Sequence, residues 1–458
     1  MIESGQKGNV LLSQMIMMSI PAMLGIYWPL FALNADFAAV ILRPVILGSA
    51  LMLALLWCGK PLTEAEIQLA GILTLLVVTL LVPSILATDP ARALKEWAKL
   101  LLIAIVCFAL ARALRDRSTA RIYAIGLVLS ASVMGLFLLA NYVKSIGLTV
   151  PTYEALRVYK GQAAKAGVEI NAIAFSSLFS FFSAICILGA TRILWAVGSA
   201  LLLICTFLTG SRTPPVITVG AAVLLIMIAA LRSRSVTRRL VAWICTACAG
   251  VALIAVLWIT VSSVAGFRTM SKLSEGRWDV WSVALTKFTE RPIFGYGYVS
   301  WRDDLASRLP GEYKLSNAMA EHIVGGYHNE VMTALAEQGL VGTAAVAGLF
   351  WFMLRCGWLL AYRRWLTWRH GRWALFVGIF ALLHSNFEVS GLFGYAQDPA
   401  DYLSYGFLAI LVASISTEDD YLRSAGSAVT IQSGNIHARL PHFAGSDTQT
   451  KPAVAFTD

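Results

Sequence analysis

The stretch ARIYAIGLVLSASVMGLFLLANY, residues 120–142, decides the fold class of this chain. One arginine stands near its start and no other charge follows. The run exceeds the roughly 20 residues that a helix needs to cross the hydrocarbon of a bilayer. Its polarity does not alternate, as a strand of a membrane barrel would require. Comparable runs recur near 10–34, 37–58, 67–87, 97–112, 169–190, 193–208, 214–231, 239–262, 338–356, 372–386 and 402–416. The bulk composition agrees: 58% of the 458 residues are hydrophobic, only 14% are charged, and the mean hydropathy is +0.71. A soluble chain of this length needs more charge to cover its surface. The sequence therefore predicts an all-α polytopic membrane protein with about twelve spans. The first run is longer than the roughly 7–15 apolar residues of a signal peptide, so it is read as an uncleaved span. The neighbours 169–190 and 193–208 are separated only by Thr191 and Arg192.

The net charge of +10 does not point to nucleic acid, because many of the basic residues sit in short loops between spans. With the N-terminus inside, the inner loops and their edges hold Arg115, Arg117, Arg121, Arg232, Arg234, Arg238, Arg239, Arg363, Arg364, Arg369 and Arg372. The facing short loops, 35–36 and 387–401, are nearly free of Lys and Arg. This bias predicts that both termini are cytoplasmic. Residues 1–416 then form the bundle, and 417–458, rich in Ser, Thr, Gly and Ala, form a disordered cytoplasmic tail. The cysteines fall in or beside apolar runs, so no disulfide framework is expected. Cys245 and Cys248 read as small residues one turn apart at a helix interface rather than as a redox or zinc pair.

Two outer loops are long, 143–168 and 263–337. The second holds eight Lys/Arg against nine acids, with many aromatics. A linker would be poorer in aromatics. Within it, GRWDVWSVALTKFT (276–289) spaces Trp278, Trp281, Ala284, Leu285 and Phe288 as a helix does, which predicts a helix lying on the outer face.

The candidate residues cluster on that face. In GGYHNEVMTALAEQGLVG (325–342), Asn329 is a good N-cap type and Gly339 a plausible break. His328 would stand at the positive end of a helix dipole, which keeps an imidazole neutral and able to take a proton. The plainer reading is a histidine at a loop end. Arg212 lies in LTGSRTPP, where two spans meet on the outer side. It either snorkels or, with the donors of Gly210, Ser211 and Thr213, holds an anionic oxygen cluster. Arg277 either pairs with Glu275 or Asp279 on the surface or binds an anion. Arg43 lies inside an apolar run before Pro44, a depth that requires a partner or a wet cavity.

No phosphate-binding glycine loop and no dinucleotide fingerprint occur. His322 and His328, and His437 and His442 in the tail, do not make a metal-ligand cluster. The reading is thus of chemistry without metal or cofactor, in which the substrate brings its own activation.

Arg277, Trp281, Pro292, Gly295, Gly297, His328, Asn329, Leu335, Glu337 and Gly339, taken in order, resemble the motif of the O-antigen ligase and polymerase superfamily of bacterial envelope enzymes. The resemblance implies about twelve helices with a large periplasmic loop, in a GT-C-like glycosyltransferase of the inner membrane. It implies transfer of a glycan from undecaprenyl pyrophosphate, to a sugar hydroxyl of lipid A–core in the ligases or to another lipid-linked repeat in the polymerases. It implies His328 as the base, with Arg212 and Arg277 holding the pyrophosphate. Arg43 is added to these as a candidate substrate-binding residue for its depth alone. The order and spacing of arginine and histidine favour the ligase. A lipid-linked glycan transporter, in which the arginines bind phosphate only in passage, is the rival of another class.

Overall fold

The structure, a computed structural model, describes residues 2–33, 61–148, 170–189, 191–209, 213–232, 271–297, 329–362, 371–385 and 402–417, with scattered positions between them. Everything described is helix or short turn. The helices are α1 (Ile2–Leu33), α2 (Glu64–Ile85), α3 (Pro90–Ala113), α4 (Arg117–Ile146), α5 (Ile170–Leu188), α6 (Arg192–Thr209), α7 (Thr213–Arg232), α8 (Ser271–Glu290), α9 (Glu330–Tyr362), α10 (Gly371–Ser385) and α11 (Tyr402–Thr417). Among the described residues, α2, α4, α5, α6 and α9 are long and apolar enough to cross a membrane. Ten of the twelve predicted runs overlap helices α1–α7 and α9–α11. Those at 37–58 and 239–262, the Cys245–Cys248 pair, Cys58 and the tail beyond Asp420 lie outside the described residues, apart from isolated positions in the two spans.

The helices begin earlier than apolarity alone suggests, because their first turns are polar and capped. Thr63 and Glu66 form a reciprocal capping box at the start of α2. Asp89 accepts from the Arg92 N–H, with Pro90 in the first helical position of α3. Asp116 accepts from Thr119 at the head of α4. Each such cap is worth about 1 kcal/mol.

Helix α5 sits at the centre, buried on nearly every side from Ile170 to Cys186. It meets α4 where Ser177 Oγ donates to the Ala131 carbonyl at 2.8 Å. A column of rings, Phe175, Phe179 and Phe182 of α5 with Phe376 and Phe380 of α10, fills the opposite side. Small residues set the closest approaches: Gly25 of α1 abuts Ser130 of α4, and Gly126 of α4 abuts Pro21. In a bilayer this is the expected economy, because lipid is as apolar as leucine and packing, not hydrophobicity, drives association. Large apolar side chains accordingly point outward, among them Leu75, Val78, Leu136, Leu203 and Phe207.

One end of the bundle is tied by polar contacts. Arg115 reaches Glu66 at 3.3 Å and Asp420 at 2.6 Å. Thr63 and Ser416 hydroxyls lie 2.7 Å apart, and Arg355 donates to Gln68 at 2.7 Å. These residues come from the start of α2, the α3–α4 turn, the far part of α9 and the end of α11. The sequence reading assigns all of those segments to the same side. Cys107, Cys186, Cys205 and Cys356 are free and buried within helices.

Candidate functional site: a glycine interlock at the head of α9

The head of α9 follows His328 directly. Asn329 Oδ1 accepts the Met332 N–H at 3.0 Å. Its carbonyl accepts the Thr333 N–H at 3.0 Å and the Thr333 hydroxyl at 2.8 Å. Asn329 is thus the N-cap, as its residue type predicts. Glu330 opens the helix, where the dipole favours a carboxylate. The helix then breaks at Gly339 (φ 64°, ψ −161°), as the sequence also suggests. It separates a short piece, 330–338, from the long spanning piece, 340–362.

A break in a membrane helix exposes backbone groups that no water can satisfy. Here the turn after α8 satisfies them. Leu340 N–H donates to the Pro292 carbonyl at 2.8 Å and Val341 N–H to that of Ile293 at 3.2 Å. In return Tyr296 N–H donates to the Ala336 carbonyl at 3.2 Å and Gly297 N–H to that of Glu337 at 2.8 Å. The two backbones touch so closely that a Cβ on Gly295 would meet the backbone of Glu337 and Gln338. One on Gly339 would meet the Ile293 carbonyl. Gly295 and Gly297 hold φ of 65° and 99°, which side-chain-bearing residues rarely adopt. Gly295 and Gly297 after Pro292, and Gly339 after Glu337, are therefore the two halves of one joint.

The short piece buries its polar side. Glu330, Thr333, Glu337 and Gln338 are buried, and Glu337 is 0% exposed, while Val331, Met332 and Leu335 are half-buried and Leu340 is exposed.

Arg277 lies in the first half of α8, which begins earlier than the predicted 276; the position of its side chain lies outside the description. His328, Arg212 and Arg43 lie outside the described residues, Arg212 in the stretch 210–212 that joins α6 to α7. The structure ties the α8 turn to the α9 head. Among the described residues no group of three His, Cys, Asp or Glu could hold a metal ion. One residue passed over by the sequence reading is His384 of α10. Its ring is buried and stacks on Phe175, with centroids 3.6 Å apart. A histidine inside an apolar run was the available signal.

Residues 197–347 match the family model described as O-antigen ligase. This segment is similar to the O-antigen ligase family. The match covers about a third of the chain and takes in Arg212, Arg277, His328 and the whole interlock, but not Arg43. No curated protein matches the chain.

Proposed function

We propose that this chain transfers an O-antigen glycan from undecaprenyl pyrophosphate to a sugar hydroxyl of lipid A–core. It does so at the periplasmic face of the bacterial inner membrane and completes lipopolysaccharide. The family match over the segment that carries the interlock supports this reading above all else. In the proposed step His328 takes the proton of the acceptor hydroxyl. The acceptor oxygen bonds to the anomeric carbon, the bond from that carbon to the pyrophosphate oxygen breaks, and undecaprenyl pyrophosphate leaves. A single displacement inverts the anomeric centre. Negative charge grows on the leaving group, and fixed guanidinium groups of Arg212 and Arg277 offset it without a metal or cofactor. Arg43 is assigned to the donor as well.

The deciding experiment is reconstitution of the purified chain with lipid-linked glycan and lipid A–core and no other enzyme. Lipopolysaccharide of the combined mass supports the ligase. A product lengthened on the lipid carrier would make it a polymerase, and no product with an intact, folded chain would refute both.

Two further outcomes are expected. Arg277→Lys should lose nearly as much activity as Arg277→Ala, because a planar fork spans two phosphate oxygens and an ammonium is a point charge. Equal rates for Arg277→Lys and the unsubstituted chain, at equal protein level, would reduce Arg277 to a generic cation. Reporter fusions after Arg238 and after Pro310 should report opposite sides of the membrane. The same side for both would remove the outer-face site.

A further inference from the structure

The turn that closes the interlock also gathers a second set of side chains, of which Arg291 is exposed and Lys287 half-buried. Lys287 and Arg291 stand one helical turn apart at the end of α8. The Arg291 guanidinium lies 4.5 Å from the centroid of the Tyr296 ring and the Lys287 ammonium 5.3 Å from it. Glu290 accepts from the Tyr296 hydroxyl and pairs with Lys287 at 2.9 Å. Desolvation pushes the Glu290 carboxyl up. The hydrogen bonds from Tyr296 and Lys287, with the charges of Lys287 and Arg291, outweigh it and hold the group below its ordinary range. Burial, then the Glu290 contact, raises the Tyr296 phenol, which stays a donor. Two cations face one acid, a balance of 2 − 1 = +1.

A helix C-terminus attracts cations by itself. That does not account for where this cluster sits. The turn is bonded to Leu340 and Val341, the first residues of the spanning piece of α9. Ile293 at its tip is 57% exposed and Leu340 beside it 55%. Exposed apolar side chains at the head of a spanning helix meet acyl chains, and cations just beyond them meet headgroups.

We infer that this turn is a binding site for the phosphate of an anionic lipid headgroup. Ile293 and Leu340 lie at the acyl boundary, with Lys287 and Arg291 at the level of the phosphate. Tyr296 supports the guanidinium from one side by a cation–π contact, which leaves its donor edge for two phosphate oxygens. The site is distinct from the arginines assigned to the glycan donor. It requires only that α9 crosses a membrane, so it stands whether or not the chain is a ligase.

The test uses the full chain in nanodiscs of mixed phosphatidylglycerol and phosphatidylcholine, with the lipids that survive delipidation quantified by native mass spectrometry. The unsubstituted chain should retain phosphatidylglycerol selectively. The double substitution Lys287→Gln with Arg291→Gln should lower that retention by about fivefold for each charge removed. Equal selectivity in both proteins would overturn the site. Release of the lipid by millimolar inorganic phosphate would show a free-phosphate site and overturn the lipid assignment. Should the double variant melt early, Arg291→Glu, which reverses one exposed charge, repeats the comparison with the same expected loss.

Discussion

Replacement of His328 by alanine is expected to abolish glycan transfer while leaving fold and donor binding largely intact. A positioned base contributes roughly 10²–10⁴-fold, and the loss should fall in that range or below detection. The base must be neutral at working pH. His328 immediately precedes an N-cap that the structure describes, Asn329, so the positive end of the short helix 330–338 disfavours an imidazolium there. His328→Gln keeps a polar shape and cannot take a proton at this pH, so it should be almost as inactive as alanine. The measurement is transfer on both variants with donor binding in parallel. A glutamine variant that transfers glycan at the unsubstituted rate would leave His328 without a role as base. The His328–Asn329–Glu330 triplet would then be a helix cap and no more. A variant that has lost donor binding as well would assign His328 to the donor instead.

The local devices of this fold are written in short-range features, and those are readable. Asn329 before an apolar run gives a cap, and Gly339 within it gives a break; both stand in the structure. What is buried is harder to read. In water, apolar side chains mark the inward face, but in a bilayer they are equally at home against lipid. Leu340 is therefore exposed while Glu337 and Thr333 are buried. The same ambiguity hides the serines of α5. The interlock is unreadable for a different reason. Gly295 and Gly339 each look like an ordinary turn or break glycine, and only the structure shows them pressed against one another's neighbours. Of the candidate site, the motif is legible in the sequence. The structure adds why the motif's glycines must be glycines.

Gly339→Ala is the sharpest test of that joint. Its φ of 64° with ψ of −161° lies in a region open essentially to glycine. Strain of this kind costs on the order of 1–3 kcal/mol. The added methyl would also meet the Ile293 carbonyl and the Gly295 nitrogen, both fixed backbone. To make room the turn must back away, and the Leu340–Pro292 and Val341–Ile293 bonds go with it. Each is worth about 1 kcal/mol net, and more where no water can replace it. The variant should show a clearly lower unfolding midpoint in detergent and should lose transfer, because the head of α9 is no longer held against the α8 turn. Gly71→Ala serves as the contrast: its Cβ would meet nothing within 4 Å, and alanine favours a helix interior by up to about 1 kcal/mol. It should melt and transfer like the unsubstituted chain. Gly295→Ala attacks the joint from the other side, against the backbone of Glu337 and Gln338. The two damaging changes break one structure, so their combination should lower the midpoint by much less than the sum of the two. Additive losses would mean that the glycines act separately and that the α8 turn does not hold the break in α9.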